Sequence, residues 1–234
     1  MPPRKYQMTR RAAAVEQTRA RIVAATVAAH RELGIQATSW DEIARRARVG
    51  VGTVYRHFPT LDELLPACGE VVAHTLALPA AHDAAGLFVG ATDPSARIRR
   101  LVAVVFGVYE RGAPFIDNIR RERQHLPQLE VYYRHIEETL AMLAREALRP
   151  LRPSRQVGPV VRALIDLPTW CAFIERGLSP EQTTETVSGL IECWLRSPIF
   201  NAPTSGPREK HPGQRPDAST TLADHSHQSP HPTR

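Results

Sequence analysis

The chain has 234 residues, 42% of them hydrophobic and 23% charged, with a formal net charge of +6. That is enough to bury a full core as one domain or two small ones, and the balance excludes a wholly disordered chain or a fibrous repeat. The charge is uneven: residues 1–60 hold eleven Arg or Lys against four Asp or Glu, and the remainder nineteen against twenty, so the basic excess that would steer a polyanion lies in the first quarter.

Apolar residues recur every three to four positions along the clear segments and do not alternate, which predicts an all-α protein. Ile22, Ala25, Ala29 and Leu33 form the stripe of a first helix that Gly34 closes. Thr38 and Ser39 open a second, with Ser39 and Glu42 spaced as a capping box and Ile43, Ala44 and Ala47 facing inward. A third short helix spans about Val51 to His57 and stops before Pro59. Thr60, with Glu63 three residues on, caps a fourth that carries Leu61, Leu64 and Leu65 and fades around Leu78 and Pro79.

Residues 79–93 read as a loop. Asp93 as cap and Pro94 as first residue then start a helix with Ile98, Leu101, Val105 and Val108 on its core face. The next, from about Leu129 to Leu148, aligns Tyr133, Ile136, Leu140, Leu143 and Ala147. A helix from Pro159 to about Arg176 is apolar on more than one face and should kink at Pro168. Ser179-Pro180-Glu181-Gln182 announces the last helix, whose broad stripe is Val187, Leu190, Ile191, Trp194 and Leu195. Two adjacent helices with this much apolar surface suggest a subunit interface. Residues 199–234 are rich in Pro, His, Ser and Thr and cannot offset chain entropy by burial, so a disordered tail is expected there.

Cys68, Cys171 and Cys193 show no CxxC or Cys/His spacing and read as small buried apolar residues of a reducing compartment. Arg10 and Arg11 are followed by Glu16, Arg19 and Arg21, which rules out the apolar run of a twin-arginine export signal. No stretch reaches about 18 uninterrupted apolar residues, so a cytoplasmic protein without a membrane partner is expected.

Three helices with a short turn between the second and third, in a basic stretch, outline a helix-turn-helix. The third helix would read DNA. Gly50, Gly52 and Thr53 keep its outer side small for close approach, while Val51 or Val54 and Phe58 anchor it on the other two. On the run Ala37–Leu65, ATSWDEIARRARVGVGTVYRHFPTLDELL, the chain resembles the DNA-binding signature of the tetracycline-repressor (TetR) family. The match covers about thirty residues. The later helices fit that family's ligand-binding and dimerisation domain only as a loose pattern.

The resemblance implies roles for matching positions. Val51, Gly52 and Thr53 would face the major groove. Tyr55 and His57 would donate to phosphates, as would Thr38 on the other flank, and Arg56 would reach a phosphate or a base. Two positions depart from the family pattern: Arg48 stands where a Gly is usual in the turn, and Leu61 where a Lys usually contacts phosphate. Arg48 would then cost about 1 kcal/mol if the left-handed geometry is kept, yet it could replace the lost charge beside a phosphate-binding helix N-terminus. Taken alone, Tyr55 also reads as a core aromatic, and Arg4, Lys5, Arg10 and Arg11 as either a minor-groove arm or a solvated tail.

The expected layout is an arm at 1–16, a helix-turn-helix head at 17–66, a helical ligand-binding and dimerisation domain at 67–198 and a tail at 199–234. In the second domain Phe106, Tyr109, Tyr132, Tyr133 and Trp170, with Phe115 and His135, are candidates to line a small-molecule pocket, although aromatics at helical spacing are more often plain core. No metal site or cofactor is expected, since His225, His227 and His231 resemble a cluster only by count. Gly50-Val51-Gly52 fails as a dinucleotide fingerprint, because its third Gly would fall at Tyr55 and no strand precedes it. Nucleophile elbows and phosphate loops are also missing, and Glu137 and Glu138 diverge on their helix, so an enzyme is not expected. The expected function is a homodimeric repressor on a palindromic operator, released by a small molecule.

Overall fold

The computed structural model describes residues 4–151 and 155–197. Among them are nine α-helices and no strand: α1 (Arg4–Leu33), α2 (Trp40–Ala47), α3 (Val51–His57), α4 (Leu61–Leu76), α5 (Pro94–Glu122), α6 (Glu130–Leu148), α7 (Val157–Leu164), α8 (Leu167–Ile174) and α9 (Pro180–Arg196). The all-α expectation holds. The expected tail and its three histidines lie outside the described residues.

Most helix starts follow from their caps. Thr60, Asp93 and Ser179 accept hydrogen bonds from the N–H groups of Glu63, Ala96 and Gln182, and Ser179 with Gln182 closes a full capping box. Ser39 accepts from the Glu42 N–H at 3.2 Å, but the expected box is only half formed. The Glu42 carboxylate turns instead to Arg45 and Arg46 on its own helix. α1 begins at Arg4, so it takes in most of the residues expected to be an arm. No Gly or Pro interrupts Arg4 to Leu33, and Ala and Arg are strong helix formers.

The expected kink at Pro168 is a full break. Ile165 and Asp166 leave the helix, and the Asp166 carboxylate caps a new one by accepting from the Leu167 N–H at 2.8 Å, with Pro168 in the first turn, where its missing donor costs nothing. The most apolar stretch of the chain, Val157–Ile174, is thereby divided between two short helices and carries Arg162 and Asp166.

The head core is formed by Ile22, Val23, Ile43, Ala44, Ala47, Val54, Phe58, Leu64, Ala67 and Cys68, from α1–α4 with Phe58 just past α3. The larger core is built around α5, which packs on α4, α6, α8 and α9. α4 belongs to both, with Leu64, Ala67 and Cys68 in the head core and Leu76 in the larger one. Its far end is seated in a break of α5. Pro114 cannot donate to the carbonyl four residues back, and the helix opens at Gly112. A Cβ at Gly112 would lie 2.1 Å from Leu76 Cδ2, so any larger residue requires that side chain to leave its place. Arg111 then donates from Nε and Nη2 to the Leu76 carbonyl, at 3.1 and 2.8 Å, and satisfies the open end of α4.

Candidate nucleic-acid interface

The turn between α2 and α3 is tight because Arg48 adopts the left-handed conformation, φ 53° and ψ 48°, and its N–H reaches the carbonyls of Ala44 and Arg45. Arg21 of α1 donates to the Ala47 carbonyl at 3.1 Å, holding the end of α2 from outside. α3 then starts at Val51 after the extended Gly50 and ends at Phe58, before Pro59.

Val54 is fully buried and Phe58 is 1% exposed, with the Arg19 guanidinium over its ring at 4.9 Å. Both anchor α3 on the head. Val51 is 38% exposed and Tyr55 45%, so the residue that anchors α3 beside Phe58 is Val54, and Tyr55 is no core aromatic. One face of the Tyr55 ring lies against Trp40 at the start of α2, centroids 5.0 Å apart, which holds the phenol at the rim of the head. Gly50 and Gly52 have ordinary negative φ, and a Cβ on either would meet nothing within 4 Å. The fold itself does not require glycine at either place.

Arg56 is exposed beside Thr53, whose hydroxyl it contacts at 3.3 Å, and His57 is half-buried at the C-terminal end. Arg48 and Arg56 face outward with no acidic partner among the described residues. By contrast Arg46 is paired with Glu32 and Glu42, and Arg45 with Glu42. These guanidinium hydrogen bonds hold the Glu42 carboxyl down at about 2. Arg48 and Arg56 thus add two cations without an acidic partner beside the reading helix, to those that α1 carries at Arg11, Arg19, Arg21 and Arg31.

Thr38 and Leu61 are engaged elsewhere. The Thr38 hydroxyl donates to the Gly34 carbonyl at 2.6 Å and its N–H to Ile35, so both donors are spent inside the head. Leu61 packs in a small cluster with Ile35, Leu65 and Leu129, which accounts for an apolar residue there. The first turn of α4 also carries Asp62 and Glu63, whose charge opposes the phosphate anchor expected of that helix end.

The candidate pocket residues fall into separate groups. Phe106, Tyr109 and Trp170 are stacked in the main core, with centroids 6.0 and 6.1 Å apart, and the Tyr109 hydroxyl donates to the Ile165 carbonyl. Tyr133 lies under the Arg123 guanidinium at 4.1 Å. Tyr132, Phe115 and His135 instead line a separate cavity between head and core.

Sequence reasoning did not single out Trp40, Arg21 or Glu122. The Glu122 carboxylate, at the end of α5, accepts from the N–H groups of Ile35 and Gln36 at 3.1 and 2.7 Å, and Asn118 Nδ2 donates to the His30 carbonyl at 2.7 Å. These bonds join the end of α1 to the core across more than eighty residues of sequence, a pairing that no local pattern announces.

A compact head that buries one side of a short helix and exposes the other, carried on a helical core, defines a helix-turn-helix DNA-binding protein. Residues 22–68 match the model of the bacterial regulatory proteins of the tetR family. The chain is 32% identical over 160 residues to the HTH-type transcriptional regulator BetI of Burkholderia thailandensis, spanning 64% of this chain and 79% of that protein. Among solved structures it resembles a transcriptional regulator from Rhodococcus sp. Rha1 (TM-score 0.59, 21% identity, 76% of this chain and 95% of that one). A TetR-family regulator from Mesorhizobium loti is also similar in fold (TM-score 0.51, 19% identity, 77% and 96%). The chain belongs to the TetR family of DNA-binding transcriptional regulators, a family of regulators and not of enzymes.

Proposed function

We propose that this regulator is a homodimeric repressor that reads a palindromic operator through α3 and is released by a small molecule. The observation that carries the reading is the outer face of α3. Val51, Gly52 and Thr53 present short side chains and bare backbone where base edges would lie, while Tyr55, Arg56 and His57 stand on the flank where donors meet phosphates. Arg48 adds a cation at the turn. Thr38 contributes only by giving up its bond to Gly34.

A dimer places two such helices about one DNA turn apart, ~34 Å, on successive major grooves. α8 and α9 supply the subunit interface in this reading, since Leu190 is 49% exposed and Phe173, Ile174, Trp194 and Leu195 are only half-buried. Residues 17–66 then act as the head and 67–198 as the sensing and pairing domain, working in the cytoplasm. A ligand shifts DNA affinity only by its differential affinity for the two head spacings.

Competition binding of the purified protein to genomic promoter fragments against random DNA tests this directly. One class of fragment should be retained at salt that strips random DNA. Uniform affinity with a steep salt slope would instead mark a protein that binds backbone only. Tyr55→Phe should weaken all sites alike, whereas Thr53→Ala should change which bases are preferred.

A further inference from the structure

The two cores of the molecule are joined by an underfilled seam. Apart from the head cluster and the main core stands a small cluster of three buried residues, Ile35, Leu65 and Leu129, with Leu61, Ile119, Leu126 and Tyr132 packed against it. Beside them lies a cavity of about 90 Å³, walled by α1 and α4 on the head side and by the ends of α5 and α6 on the core side. Its lining contains no Asp, Glu, Lys or Arg. Its walls are mostly apolar and leave room for a ligand, whereas an ion placed there would give up hydration with no carboxylate or Lys/Arg cation beside it.

The polar groups at the cavity are few, and most are already committed. Asn118 donates to the His30 carbonyl and accepts from Arg121, so both ends of its amide are used. Burial pushes the Cys68 thiol up to about 12 and keeps it protonated. Two groups remain. The ring of His30, on α1, is 6% exposed and has no hydrogen bond among the described residues. Burial holds its pKa down at about 4, which leaves a neutral imidazole with one donor and one acceptor at neutral pH. Across the cavity, the Tyr132 ring of α6 lies on α4 at Gly69, where a Cβ would stand 2.8 Å from Cε1 and 3.3 Å from the hydroxyl. Gly69 is thus what brings that phenol into the cavity wall.

We propose that this cavity at the head–core seam is the effector site, and that it takes a small, uncharged, mainly apolar molecule of about one aromatic ring whose polar group hydrogen-bonds His30 or Tyr132. This rests on the ligand-released reading above and adds where the ligand sits and what chemistry it has. A molecule there touches the head and the core at once, so its binding is coupled directly to the angle between them.

Calorimetric titration of the full-length protein at pH 7.5 with phenol, p-cresol and indole tests the site, with benzoate and benzylammonium as charged counterparts. At least one neutral probe should bind with one site per chain, and both ions at least tenfold more weakly. Val72→Phe, which fills the cavity from α4, should abolish that binding. Tyr132→Phe, which removes only a hydroxyl, should weaken phenol and p-cresol several-fold. Binding by none of the neutral probes overturns the proposal, as does equal binding by the ions or indifference to both substitutions. DNA affinity is measured separately with the same probes. Binding that leaves it unchanged upholds the site and overturns the release mechanism.

Discussion

Arg48 holds a backbone conformation in which its own Cβ crowds the following carbonyl, a strain of roughly 1–2 kcal/mol that glycine does not carry. Arg48→Gly should therefore raise the stability of the protein by about 1 kcal/mol in urea unfolding, while the lost cation lowers DNA affinity and reduces the salt slope by about one. A substitution that stabilises the head and strengthens DNA binding together would show that Arg48 makes no phosphate contact. Gly52 makes the opposite argument. Its φ is ordinary and a Cβ there meets nothing, so Gly52→Ala should leave folding intact or improve it by up to ~1 kcal/mol while weakening operator binding. Unchanged operator affinity in Gly52→Ala would remove this position from the groove. In the sequence, the family resemblance of the run Ala37–Leu65 pointed to Thr53, Tyr55 and Arg56 together, and the seven-residue helix carries all three. It left Tyr55 ambiguous, since only the Trp40 ring, fifteen positions earlier, fixes which side of the head it occupies.

At the scale of elements, caps were the most readable feature and breaks the least. Thr60, Asp93 and Ser179 are local hydrogen-bonding solutions and announce their helices directly. The opening of α5 at Gly112 has equally local ingredients in Gly112 and Pro114, but its purpose depends on Leu76, which arrives from another helix. The same holds for the aromatics of the second half. Helical spacing marks them as inward-facing, yet it does not distinguish Tyr109, sealed by its bond to Ile165, from Tyr132 at a cavity wall. Gly112→Ala should force Leu76 out of its seat and destabilise the protein by about 1–3 kcal/mol, read as a lower urea midpoint. Leu76→Ala in the same background should recover part of that loss, because it removes the clashing atoms. Full additivity of the two substitutions would mean that they do not share the contact.

For the whole molecule, the acid side of the stability curve is set in part at the seam. An unfolded His30 takes up its proton near 6.5 and the folded one only near 4, so between those values the unfolded chain binds more protons. Stability should fall as pH drops from 6.5 to 4, by about 3 kcal/mol from this residue, and level off below. In His30→Leu that part of the decline should vanish from urea midpoints measured at pH 7.5, 5.5 and 4. A wild-type curve no steeper than the variant's would mean that the ring is hydrated in the folded protein. The seat of Leu76 in α5 also fixes what kind of machine the head can be. α4 has sixteen residues and is about 24 Å long, with Pro66 in its second turn; it is held at one end by the break in α5 and carries the head core at the other. A tilt of about 10° at the held end sweeps the free end through ~4 Å, and two subunits moving oppositely would alter the separation of their reading helices by up to twice that, against the ~34 Å the operator allows. Such a swing must first stretch the bonds of Glu122 and Asn118 to the end of α1, so those few contacts set how far the head can travel.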